Sequence, residues 1–198
     1  MTQTTKPVLV TGANKGIGRA TVEAILDEGK EIALVSNAGM PGISDPGYEV
    51  IEKAVVSGIE VIPVPGPTAA ISALVVSGMP MDRFVFEGFL PRKGQKRDAV
   101  IQEIQKETRT IIIYESPYRV EETLQELKVF LKKRKVALVR ELTKMHEEKI
   151  YGSIDGILEQ IKGKKLKGEV VIVVAGRKEI PEEKEGWENL SIVEHVTL

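Results

Sequence analysis

Short apolar runs rich in Val and Ile alternate with segments of helical periodicity along almost the whole chain, and glycine or proline follows most of the runs. That alternation constrains the fold more than any other feature. A strand needs partners for its backbone N–H and C=O groups, and strands separated by helices pair into parallel or mixed sheets with helices on their faces. The first run is 7–11, and 16–27 then sets Ile17, Ala20, Ala24 and Ile25 at helical spacing before Gly29 closes the helix. Runs at 31–36 and 59–64 predict the second and third strands. Between them Asp45-Pro46 reads as an N-cap and first helical residue, with Val50, Ile51, Ala54 and Val55 on one face and Gly58 at the end. An apolar helix over 68–77 stops at Gly78-Met79-Pro80.

The pattern then restarts. Strands are predicted at 84–89, 110–114, 136–140, 149–153 and 170–174, and helices at 97–106, after Ser116-Pro117, and at 154–161. Ile101 and Ile104 face inward with Val100 on the first of these helices, and Val120, Leu124, Leu127 and Leu131 form a stripe on the second. The unbroken apolar run 170–174 predicts a central strand. The expected fold is α/β in two halves with a boundary at 79–83. Residues 1–80 form a Rossmann-like half with parallel strands, and residues 81–198 form a second half with a mixed sheet.

Composition closes off several classes of function. Of 198 residues, 42% are hydrophobic and 29% charged, which excludes a disordered or fibrous chain. Lys and Arg number 28 against 29 Asp and Glu, so no polybasic surface dominates. Cysteine is absent, which removes disulfides, thiolate nucleophiles and Cys-ligated metals. His146 and His195 stand too far apart in sequence for metal-ligand spacing. No apolar run approaches the roughly 18 residues of a membrane span, no signal peptide is expected, and the expected location is the cytoplasm.

Thr11-Gly12-Ala13-Asn14-Lys15-Gly16-Ile17-Gly18 follows a strand and opens a helix. Glycines in that place let backbone approach a pyrophosphate at the helix N-terminus, and equally they can simply join strand to helix. The segment 6–28 resembles the cofactor loop of short-chain dehydrogenases/reductases. That family also needs Tyr-x-x-x-Lys, and none of Tyr48, Tyr114, Tyr118 and Tyr151 has lysine four residues on. Asn37 stands about 20 residues beyond the loop, where an acidic residue would grip a ribose. NAD(P) is therefore not an expected cofactor.

A second loop, Leu34-Val35-Ser36-Asn37-Ala38-Gly39-Met40-Pro41-Gly42-Ile43-Ser44-Asp45-Pro46-Gly47, also follows a strand. It is stiff and poor in large side chains, so its backbone can approach a small ligand closely. Further segments follow in order: Val64-Pro65-Gly66-Pro67-Thr68-Ala69-Ala70, Phe86-Glu87-Gly88-Phe89-Leu90-Pro91-Arg92-Lys93-Gly94, Tyr114-Glu115-Ser116-Pro117-Tyr118-Arg119 and Arg140-Glu141-Leu142-Thr143-Lys144-Met145-His146-Glu147-Glu148. In this order and spacing, from about residue 29 onward, the chain resembles the 16S ribosomal RNA 2′-O-ribose methyltransferases known as methyltransferase I, of the tetrapyrrole methylase fold.

That resemblance implies a two-domain α/β architecture, S-adenosylmethionine in the cleft, ribosomal RNA as partner, and a homodimer. It implies a cofactor pocket lined by Ala38, Gly39, Met40, Pro41, Gly42, Ile43 and Ser44, by Thr68 and Ala69, and by Tyr114 and Ser116. Where the family usually carries Asp and Thr in the first loop, this chain has Asn37 and Met40. Glu115 and His146 are the candidate proton acceptors for a ribose hydroxyl. The family's usual opening segment is absent, with reductase-like residues in its place. The whole therefore reads as an engineered chimera with impaired methyltransferase activity. A non-catalytic scaffold and a nucleotide binder acting through Gly12–Gly18 are the alternatives. The basic stretches Arg92-Lys93 with Lys96-Arg97, 132–135 and 162–167 read either as phosphate contacts or as solvated faces. With no Tyr-x-x-x-Lys, the chain is expected not to oxidise NADPH against a panel of aldehydes and ketones in a spectrophotometric assay. Measurable turnover would overturn this expectation.

Overall fold

The computed structural model describes residues 8–10, 22, 24, 25, 28, 30–36, 39–131 and 134–178. The glycine loop 12–18, most of the helix expected over 16–27, Asn37, Ala38, Lys132, Lys133 and the tail from 179, with His195, lie outside the described residues. β1 (Val8–Val10) and β2 (Ile32–Leu34) pair in parallel, in the register Val8 to Ile32 and Val10 to Leu34. The parallel pairing of these two strands agrees with the sequence reading. Val22, Ala24 and Ile25 between them are helical, and Val22 packs with Ile25, Ile32, Leu34 and Val50 in a small satellite core.

α1 (Tyr48–Val56) begins later than Asp45-Pro46 implies. Its N-cap is Gly47 at φ 140°, a conformation glycine adopts without a Cβ penalty, and the Gly47 carbonyl accepts from Val50 and Ile51 N–H. Ala54 is its buried residue, while Val55 is 62% exposed rather than inward. Residues 59–64 form no strand. Their Val and Ile content matches a strand locally, but Pro63, Pro65 and Pro67 bring no N–H donors to a ladder. Ile62 and Val64 stay 74% and 81% exposed.

α2 (Ala69–Ser77) starts one residue after the expected 68 and is capped at both ends. The Thr68 hydroxyl accepts from Ile71 N–H at 3.2 Å, and Gly78 ends the helix at φ 69°. The larger sheet contains β3 (Phe84–Phe89), β4 (Thr110–Glu115), β5 (Val136–Arg140), β6 (Glu148–Gly152) and β7 (Val170–Val174), in the order β3-β4-β7-β5-β6. β3 and β4 are parallel and the other pairs antiparallel, so the sheet is mixed and β7 is central, as read from the sequence. The remaining helices are α3 (Gln95–Lys106), α4 (Val120–Leu131) and α5 (Ile154–Ile161).

The period-2 alternation of strand side chains divides the core into two layers. Ile111 and Ile113, Val136 and Leu138, and Val170, Ile172 and Val174 face one way, onto Ile101, Ile104, Leu124, Leu127, Ile154 and Ile157 of α3, α4 and α5. Ile112, Ala137, Val139, Val171 and Val173 face the other way, onto Ala70, Ala73 and Leu74 of α2. Although α2 precedes residue 80, it packs on the second sheet.

Leu127 is wholly buried in the first layer, whereas Val129 on the same helix is 70% exposed. Leu127→Ala is expected to lower unfolding free energy by about 2–5 kcal/mol. Val129→Ala should stay within about 0.5 kcal/mol of the parent. Urea unfolding of both variants checks the assignment of this face.

Candidate functional site

Six chain segments meet around one cavity of about 620 Å³ at the end of the larger sheet. The first is the glycine-proline loop between β2 and α1. It is wedged from two sides. A Cβ on Gly39 (φ 76°) would sit 3.2 Å from the Pro67 carbonyl oxygen, and one on Gly88 (φ 62°) would meet the Ser44 hydroxyl at 2.9 Å. Gly88 has this freedom at the irregularity in β3, where the register with β4 shifts between Phe86 and Gly88. Gly39, Met40, Ile43, Ser44 and Asp45 line the cavity, while Pro41 and Gly42 turn the loop without lining it. The second segment contributes Pro67, Thr68, Ala69 and Ser72, and the third contributes Tyr114, Glu115, Ser116 and Pro117. The three turns singled out by sequence thus lie on one cavity. Ala38 falls outside the described residues, and His146 is exposed on the turn after β5 and does not line the cavity.

The Tyr114 hydroxyl accepts from Ala70 N–H at 3.0 Å, so β4 and the first turn of α2 are locked together. The ring stands edge-on to Phe86 and Phe89, with centroids 4.9 and 5.6 Å away. Burial pushes the Tyr114 hydroxyl pKa up, which keeps it protonated. Glu115 is 2% exposed and has both carboxylate oxygens engaged. One accepts from Ser116 N–H at 2.7 Å and pairs with Arg119 at 2.6 Å; the other accepts from the Thr123 hydroxyl at 2.7 Å. Thr123 in turn accepts from Arg97, which also donates to the Pro91 carbonyl and to Glu126. Arg97 is only 7% exposed, so the basic stretch loses one of its four cations to the interior.

The resemblance names no pocket residue on the opposite wall, although the Arg140–Glu148 motif runs through it. The wall consists of Val139 in β5, Glu141, Leu142, Thr143 and Lys144 after it, Gly168 and Glu169 before β7, and Val170 and Val171 within β7; Phe89 of β3 lines the cavity beside Tyr114. Glu141 and Thr143 have φ of 50° and 64°, and Ser44 across the cavity has φ 53°. Among the described residues these are the non-glycine positions with positive φ, and all three line the cavity. Each costs about 1–3 kcal/mol, a strain characteristic of functional sites. The Glu141 carboxylate accepts from Glu169 N–H at 2.7 Å and from Lys144 Nζ at 3.0 Å, while Glu141 N–H donates to the Glu169 carbonyl. Those bonds, that from Glu169 N–H first, hold the Glu141 carboxyl below its ordinary pKa. Glu141 and Glu169 together raise that of Lys144, which stays an ammonium. Gly168 (φ 84°) makes the arrangement possible, because a Cβ there would fall on the Glu141 carboxyl carbon. The signal available in sequence was the Arg140–Glu148 motif together with a glycine just before the central strand.

The cavity has the size of a small-molecule site and offers apolar walls with a few fixed polar groups. No cluster of three or more His, Asp or Glu capable of holding a metal occurs among the described residues.

A family model for tetrapyrrole (corrin/porphyrin) methylases matches residues 3–158. The chain belongs to the tetrapyrrole methylase family. The match begins at residue 3, so the opening strand and glycine loop fall within it. Within the family, the chain is 43% identical over 181 residues to the ribosomal RNA small subunit methyltransferase I of Halalkalibacterium halodurans, covering 91% of this chain and 62% of that protein. It is 44% identical over 153 residues to the protein of the same name from Thermotoga maritima, covering 77% and 68%. The chain thus spans about six-tenths to two-thirds of these relatives' length. Among solved structures, the methyltransferase CobJ superposes with a TM-score of 0.59 at 19% identity, over 83% of this chain and 74% of that one. Uroporphyrin-III C-methyltransferase from Thermus thermophilus, complexed with S-adenyl homocysteine, superposes with a TM-score of 0.53 at 16% identity, over 79% and 70%. Tetrapyrrole methylase architecture is therefore the fold.

The Gly168–Glu141 contact can be tested by itself. Gly168→Ala is expected to destabilise by about 1–3 kcal/mol, from positive φ and from displacing the carboxylate. In a Glu141→Ala background the same change should cost less, because only the φ term remains. A double-mutant cycle in urea measures the coupling, and simple additivity would mean that the two residues do not meet.

Proposed function

We propose that this chain transfers a methyl group from S-adenosylmethionine to a ribose 2′-oxygen of small-subunit ribosomal RNA, with the cofactor in the cavity described above. One observation carries the reading. Gly39–Ser44, Thr68–Ala69 and Tyr114–Ser116, far apart in sequence, converge on a single cavity of cofactor size. Residues 1–80 and 81–198 are, in this reading, the two halves that flank it. When bound, S-adenosylmethionine supplies an electrophilic methyl group on a sulfonium sulfur.

The chain's own work is then orientation and exclusion of water. Gly39 and the turn before Thr68 bring backbone close, where N–H and C=O groups can read adenine and the amino-acid end. The apolar wall of Leu142, Val139 and Val171 keeps that space dry. Glu115, with both oxygens engaged, holds the Ser116–Arg119 turn in place. His146 stands on the exposed turn that also carries Lys144. Arg92, Lys93 and Lys96 follow Phe89, which is 53% exposed at the cavity, and form the side from which RNA phosphates approach. The homodimer and the cytoplasmic location implied by resemblance belong to the same reading; no described helix is long and apolar enough to cross a membrane.

Calorimetric titration with S-adenosylmethionine tests the site. Ser72 lines the cavity from α2, and Ser72→Trp is expected to weaken binding at least about tenfold, or 1.4 kcal/mol, with an unchanged circular dichroism spectrum. Transfer of labelled methyl groups to small ribosomal subunits tests the reaction. No binding heat with S-adenosylmethionine in the parent would instead favour a non-catalytic joining of fragments.

A further inference from the structure

Glu169 and Lys144 stand together on the wall entering β7, and the site's internal bonding leaves both with polar capacity to spare. Lys144 Nζ lies 3.0 Å from one Glu141 oxygen and 3.1 Å from Oε2 of Glu169. Those two contacts use two of the three ammonium N–H groups. Glu141 is fixed from behind by Glu169 N–H and by the absence of a side chain at Gly168. Its carboxylate therefore serves the wall. Glu169 differs: its side chain is 61% exposed and lines the cavity, and its second oxygen is available. The turn that carries Lys144 is tied down as well. Lys144 N–H donates to the Glu141 carbonyl, Glu147 N–H donates to the Lys144 carbonyl, and Thr143 N–H donates to the Glu147 carboxylate. The result is a preset pair, one charged acceptor and one charged donor side by side, on a wall otherwise built from Leu142, Val139 and Val171.

We infer that Glu169 and Lys144 form the subsite for the 2′,3′-diol of an adenosine ribose. The inference rests on the cofactor reading given above and assigns it two residues. Two hydroxyls on adjacent carbons each offer one donor and two acceptor lone pairs. A carboxylate takes the O–H of one and an ammonium donates to the oxygen of the other, so both bonds are charge-assisted. An internal nucleotide of RNA has its 3′-oxygen esterified and offers no such diol, so the subsite belongs to the cofactor side of the cavity. A phosphate is a poor occupant, because the Glu141, Lys144 and Glu169 cluster has a net charge of about −1 at neutral pH.

The experiment is a pair of calorimetric titrations, with 5′-methylthioadenosine and with its 2′-deoxy analogue, using the full chain. The parent is expected to bind the ribose form about tenfold more tightly, in line with a lost charge-assisted hydrogen bond. Glu169→Gln keeps the shape and removes the charged acceptor, and should reduce that preference to less than about threefold. Lys144→Met should do the same, and Lys144→Arg should restore part of it. Asp45→Asn, a carboxylate lost elsewhere on the same cavity, should leave the preference intact. Urea midpoints of the variants separate a lost contact from a lost fold. If the parent binds S-adenosylmethionine but does not distinguish the two nucleosides, the subsite is wrong and the cofactor reading stands. A preference that survives Glu169→Gln, or disappears with Asp45→Asn, also overturns the subsite. If the parent binds none of the three compounds, the cofactor reading fails and this inference with it.

Discussion

Three strand ends come level at Val170. Antiparallel pairing sets Glu115 of β4 opposite Val170 of β7, and Val170 opposite Arg140 of β5. One row further in, Tyr114, Val171 and Val139 stand abreast. That second row lines the cavity along its whole width. Because β7 enters where β4 and β5 leave, the turn after β4, the turn after β5 and the approach to β7 crowd into one place. A parallel β7 would have carried Gly168 and Glu169 to the far end of the sheet. The cavity wall thus depends on the direction of a single central strand.

The same ladder bears the energetic load. Ile111, Ile113, Leu138, Ile172 and Val174 are buried to 2% or less on the layer beneath, and full burial of such side chains contributes about 1.5–3 kcal/mol each. Against this, Ser44, Glu141 and Thr143 hold strained backbone at the cavity. The strain persists because rigid neighbours determine it: Gly88 and Pro67 around the first loop, Gly168 and Glu169 around the second. A loop on a less rigid sheet would relax.

Legibility in the sequence followed the range of the interactions. The Leu124–Leu127–Leu131 stripe, the Gly78 terminator and the unbroken β7 run each depend on residues a few positions apart, and each is readable. That three turns share one pocket is what the resemblance implies rather than what any single turn shows, and all three line the one cavity. Asp45-Pro46 has the composition of a helix start, but Gly47, with φ 140°, takes the cap. Arg97 looked like a surface cation until Thr123 and Glu126, about thirty residues on, supplied its partners. The wall of Glu141, Lys144 and Glu169 joins two segments whose contact exists only once β5 and β7 have paired. The Arg140–Glu148 motif and Gly168 are each visible locally, but nothing local shows that they meet.

The stretch after α1 has a consequence of another kind. Extended backbone turns the N–H groups of alternate residues to opposite edges. Pro63, Pro65 and Pro67 share one parity, so one edge of that stretch would have acceptors but no donors at three successive places. Val61, Ile62 and Val64 are exposed apolar side chains of the sort that drive sheets to accrete. The prolines make any such accretion one-sided: a strand added on the donor-bearing edge would find nothing to continue the ladder across the other. Exposed apolar side chains and a backbone able to pair fully along one edge alone coexist in the same few residues, so this stretch can end a sheet but cannot sit inside one.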